Sequence, residues 1–141
     1  MINEIKTLIE SVKSANKPLY PVEYEENKMM NLKADEKILD SAFAYIEEFT
    51  QGTYERSKYV PQKTTQVQIY FCRFGEMHST AVEREAIRSQ IESEIIFPFM
   101  EKYNACGTFD RVDSWKFYTL LPRFDANEIS IMLQFNCKQN F

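Results

Sequence analysis

Residues 65–101 most limit what this chain can become, because one strand there feeds one long helix with few residues between them. Val67, Ile69 and Phe71 share one side of the strand, and Gln66, Gln68 and Tyr70 share the other. This is the period-two pattern of a strand with one face buried. The helix opens on Thr80-Ala81-Val82-Glu83, the spacing of a capping box. In that motif the threonine hydroxyl and the glutamate carboxylate each accept from the other residue's backbone N–H. Ile87, Ile91, Ile95 and Phe99 then recur every fourth residue and are expected to face the core. Pro98 lies inside that pattern and is expected to kink or loosen the last turn, because it lacks an N–H. Such a unit fixes an α+β architecture without naming a reaction.

The flanking segments extend this picture. Ile2, Ile5, Leu8, Ile9 and Val12 fall on one helical face, which predicts a short amphipathic N-terminal helix ending before Pro18. Tyr20, Val22 and Tyr24 alternate, and Pro21 assigns that stretch to a sheet edge. Residues 25–37 are polar and read as a loop. Residues 38–50 fit two patterns: Leu39, Phe43, Ile46 and Phe49 suit a helix, whereas Ala42, Ala44 and Ile46 against Phe43 and Tyr45 suit a strand. Residues 51–63, with Gly52, Pro61 and two tyrosines, read as an exposed loop or a hairpin extension.

A terminal hairpin is expected, with a strand at 115–121 that sets Trp115 in the core and a turn at 122–127. In its second strand Ile129, Ile131, Leu133 and Phe135 alternate with Ser130, Met132, Gln134 and Asn136. No repeat, low-complexity stretch or linker breaks the 141 residues, so 1–141 reads as one domain. The expected fold class is α+β. It has a single mostly antiparallel sheet, with a long helix at about 80–103 and the short N-terminal helix on one face.

Chemistry is sparse. The net charge of −4 argues against non-specific nucleic-acid binding, which needs a basic footprint. No apolar run approaches the ~18 residues of a membrane span, and the first residues do not form a secretory signal. Cys72, Cys106 and Cys137 are odd in number and widely spaced, so free, buried or half-buried thiols are expected. Cys72 with His78, the sole histidine, could form a thiol–base pair, but no third residue is evident to orient them. No CxxC or HxxxH spacing supports a metal, and no phosphate-loop or hydrolase motif occurs. The acidic runs sit beside Lys and Arg and read as solvated surface; Glu85 precedes Arg88 by three residues, a helix-surface spacing. No catalytic residue, cofactor or metal is therefore expected. Tyr54, Arg56, Lys58, Tyr59 and Lys63 mix basic and aromatic side chains on an acidic chain, a composition found at interfaces and also in ordinary exposed loops.

The strand TTQVQIYFCRF, the helix TAVEREAIRSQIESEIIFPFMEKY and the terminal hairpin WKFYTLLPRFDANEISIMLQFNC follow a short helix, extended segments and a long polar loop. This succession resembles the tail-terminator, or tail-completion, proteins of long-tailed phages and prophages. The resemblance covers most of the chain as architecture and carries no invariant motif, so no family residue transfers by position. It implies a non-enzymatic structural subunit, made in the host cytoplasm and built into the virion. It further implies self-association into a ring, commonly of six, that stops tube growth and meets other tail or head-connector proteins. No nucleic-acid specificity and no membrane association are implied. Residues 51–63 would then be a ring or lumen contact. The competing expectations are a small-molecule or peptide-binding α+β module with an apolar pocket, and an enzyme built on Cys72, His78 or an acidic pair.

Overall fold

The computed structural model describes residues 1–12, 42–56, 60–75, 80–119 and 128–140. Five strands form one sheet: β1 (Phe43–Ile46), β2 (Gln51–Arg56), β3 (Pro61–Phe74), β4 (Lys116–Thr119) and β5 (Glu128–Asn140). The order is β1-β3-β5-β4 with every pairing antiparallel, and β2 follows β1 along the same side of β3. Among the described residues three α-helices accompany it: α1 (Ile2–Glu10), α2 (Ala81–Ile91) and α3 (Phe97–Ala105). A π-helical stretch, Glu92–Ile96, joins α2 to α3 in one continuous helical rod. The chain is thus α+β, with the expected antiparallel sheet, long helix and short N-terminal helix. The segments read as an edge strand near Tyr20, a loop at 25–37 and a turn at 122–127 lie outside the described residues.

The capping box forms as read: Glu83 N–H donates to Thr80 Oγ1 at 3.2 Å, and Thr80 N–H donates to Glu83 Oε2 at 3.4 Å. The π stretch explains how a strict four-residue repeat stays on the sheet. With 3.6 residues per α-turn, spacing by four drifts about 40° per step, or about 160° from Ile87 to Tyr103. The wider i→i+5 turns of a π segment take part of that drift back. Ile91, Ile95, Ile96, Phe99 and Tyr103 are all buried as a result. Loosening of the rod falls upstream of the expected last turn. A proline ring disturbs the carbonyl four residues before it, and for Pro98 that carbonyl lies within the π stretch. Phe97 N–H there reaches back five residues to the Glu92 carbonyl. The rod ends at Cys106, followed by Gly107 at φ 72°, a left-handed position that favours glycine.

The helices cover one face of the sheet. Ile5, Ile9, Ile95, Phe99 and Tyr103 meet Val67, Ile69, Phe71, Ile131, Leu133 and Phe135 in the main core. Phe99 is fully buried at its centre, with ring centroids 6.1–6.3 Å from Phe71, Tyr103, Trp115 and Phe135. Lys102 Nζ donates to the Ser11 carbonyl at 3.1 Å, which satisfies an orphan acceptor at the end of α1 and ties α1 to α3. The back face carries a second, smaller cluster of Phe43, Tyr45, Tyr70, Cys72 and Met132. The one-face-buried reading of β3 therefore holds only toward its start, since Tyr70 and Cys72 on the supposedly open side are buried too. Residues 43–46 form a strand, and all four side chains are buried. Trp115 joins the core half-buried, but the strand after it does not: every residue of β4 is exposed, and Phe117 is 67% exposed.

Candidate functional site

Of the two readings of residues 51–63, exposed loop or hairpin extension, the second holds over the described residues. Gln51 pairs with Gln66, Tyr54 with Lys63 and Arg56 with Pro61, so β2 and the start of β3 form a hairpin extension. The end of β5 lies on the other side of β3, pairing as far as Gln62 with Asn140. Together they make a three-stranded arm. Every side chain of β2 is exposed, and burial along β3 rises from the arm to a buried run at Ile69–Cys72.

The arm begins at an offset in register. Phe43–Ile46 pair with Cys72 through Ile69, whereas Gln51 pairs with Gln66. Four residues, 47–50, therefore stand opposite Val67 and Gln68 alone, a bulge that bends the edge. Phe49 in this bulge is 82% exposed. Gly52 permits the close approach that follows. A Cβ there would collide with the Thr64 carbonyl oxygen and lie 2.9 Å from Thr65 Cα.

Strand alternation sorts the arm into two chemistries. Tyr54, Arg56 and Lys63 lie on the helix face, with the Lys63 ammonium 5.7 Å from the Tyr54 ring centroid. Gln51, Thr53, Thr64, Gln66 and Asn136 lie on the back face. Gln51 Nε2 donates to Gln66 Oε1 at 2.7 Å, and a groove of about 390 Å³ runs over this amide-rich surface. Three of the five expected contact residues thus converge on one side of the arm. Lys58 and Tyr59 lie outside the described residues.

The reactive candidates are arranged differently. Cys72 is fully buried, and its thiol donates to Glu128 Oε1 at 3.1 Å; Glu128 is 4% exposed. The sequence does not announce this thiol–carboxylate pair, because 56 residues separate its members. A thiol buried against a carboxylate faces no solvent, whereas a reactive cysteine is partly exposed. His78 lies outside the described residues. Cys137 is fully buried and Cys106 is exposed, so the three cysteines are free but not all buried. Burial pushes the Tyr103 hydroxyl far above the usual phenol range, and the neighbouring Cys137 thiol adds to the shift. Burial likewise raises the Cys137 thiol, against a smaller lowering by Tyr103. Both groups stay protonated and neutral.

Glu48, Glu83 and Glu85 are exposed, with Glu85 pairing with Arg88 at 3.3 Å, whereas Glu47, Glu92 and Glu94 are half-buried. Among the described residues no three metal-ligating side chains cluster, and no helix is long and apolar enough to cross a membrane. Comparison with protein-family models and with curated protein sequences gives no match.

Proposed function

We propose that this chain is a non-enzymatic subunit of a phage or prophage tail, a tail-terminator-like protein that forms a ring at the head-proximal end of the tube. The observation that carries this reading is the arm. A six-residue strand exposed along its whole length contributes little to the monomer's core, and its outer edge, which no strand pairs among the described residues, is a template for another chain. The succession of elements that suggested the family supports the same reading. Its partners are further copies of itself and the tail or head-connector proteins on either side, and it reaches the virion from the host cytoplasm. The space between sheet and helices is filled by aromatic side chains around Phe99, so an enclosed ligand pocket finds no support there.

The test is tube length. Cells producing the phage without this protein should yield tails of irregular, extended length. Adding the purified protein during assembly should restore a uniform length, with rings visible at one end by negative-stain microscopy. Tails of unchanged length without it would refute the reading.

A further inference from the structure

Among the described residues the sheet ends in two edges, and they match each other. Among the described residues no strand pairs along the outer side of β2 or of β4. All side chains of both strands are exposed. Neither strand contains proline and β2 contains no lysine, whereas β4 is four residues long with one lysine, Lys116, and a bulge precedes β2. Each edge also shows an exposed aromatic: Tyr54 is 82% exposed on β2, and Phe117 is 67% exposed on β4.

We propose that β2 of one copy pairs with β4 of the next, so that copies join head to tail through a continuous sheet. This rests on the ring-forming reading above and deepens it by naming the interface. Strand direction permits the contact. β2 runs antiparallel to β3, β3 to β5, and β5 to β4, so β2 and β4 run in opposite directions. A second copy in the same orientation, laid against the β2 edge, therefore meets it with an antiparallel strand, and its helices stay on the same side.

Side-chain alternation then selects a register. Tyr54 and Phe117 both lie on the helix face, while Glu55, Thr53, Lys116 and Tyr118 lie on the back face. One alignment sets Glu55 opposite Lys116, Tyr54 opposite Phe117 and Thr53 opposite Tyr118 at once. Every pair shares a face, a charge meets its opposite, and an aromatic meets an aromatic, the cross-strand pairs that stabilise sheets. Neither Glu55 nor Lys116 belongs to an ion pair among the described residues.

The two edges sit at different heights. β2 lies against the first residues of β3, whereas β4 lies across β5 from residues 68–71 of β3. That offset is about six residues, or ~20 Å, over a sheet about four strands or ~19 Å wide. A strand tilt of about 45° to the ring axis absorbs it, at the upper end of the tilt found in closed sheets. Contact between two different patches propagates around an axis and closes when the rotation allows.

The experiment is a charge exchange read by light scattering after size exclusion, over a wide concentration range. The full chain should form a discrete oligomer. Glu55→Lys alone and Lys116→Glu alone should each weaken association roughly tenfold or more, because like charges then oppose. An equimolar mixture of the two variants should recover the oligomer, since alternating copies restore an opposite pair at every junction. Both positions are on exposed strands, and unchanged thermal melting will show that the variants fold. Oligomers of both variants as strong as the parent's, or a mixture that fails to recover, would overturn the edge contact and leave the ring reading standing. A parent chain that is monomeric at every concentration would also overturn the edge contact. The tube-length assay then decides the tail reading separately.

Discussion

The two ends of β3 are in different environments although one strand joins them. Toward Phe74 the strand is covered on both faces, by the helices on one side and by the Phe43–Tyr45–Tyr70 cluster on the other. Toward Pro61 it belongs to a polar arm whose outer strand is exposed throughout. The covered end supplies the stability of the domain, and the arm uses that stability to hold a surface outward. On the proposed reading of the arm as an interface, stability and interaction are separable, and substitutions should tell them apart.

The sharpest break comes from Phe99→Ala. It removes a fully buried ring that meets four others, and should cost about 3–5 kcal/mol in urea or thermal unfolding. Gly52→Ala should cost less, about 1–3 kcal/mol, because the new methyl drives β2 off the β3 backbone. Its signature is local: hydrogen exchange should quicken in β2 and its partners on β3, while amides of the covered half keep their protection. If Gly52→Ala speeds exchange throughout the sheet, arm and core are one unit and the comparison fails.

Alkali should act through the buried Cys137 and Tyr103. The folded state holds the Cys137 and Tyr103 protons beyond the values the unfolded chain would have. Their contribution is fully present below the unfolded thiol value of about 8.5, and falls as pH rises above it, with tyrosine adding from about 10. Melting temperature should decline over that range, and Cys137→Ala should flatten the first part of the decline. Tyr54→Ala should show the smallest effect on folding, within about 0.5 kcal/mol of the parent, because the side chain is 82% exposed. It should nevertheless weaken self-association in the same light-scattering assay.

Sequence periodicity revealed the covered half better than the arm. The alternation of Ile129 to Phe135 and the spacing of Ile87 to Phe99 mark the side that meets the main core, and both elements form there, although Ser130 and Met132 on the other side of β5 are buried too. β1 left both patterns open because it is buried on both faces, Phe43 and Tyr45 in one cluster and Ala44 and Ile46 in the other, so no alternation marks it. β2 hid for the opposite reason. It is polar on both faces, and a strand without an apolar side looks like a loop. The register sets Tyr54, Arg56 and Lys63 on one side of the arm. The match between the edges of β2 and β4 depends on strand order, which no local pattern encodes.

The long pairing of β3 with β5 has a mechanical meaning. It runs unbroken from the Phe74–Glu128 pair to the Gln62–Asn140 pair, joining covered end to arm. Hydrogen bonds between antiparallel strands lie across the strand direction. A pull along the arm therefore strains the whole ladder in shear at once, whereas a sideways pull would peel it one bond at a time. Lengthwise tension at the tip is shared by the whole domain, which makes the arm a stiff tether along its own axis and a compliant one across it.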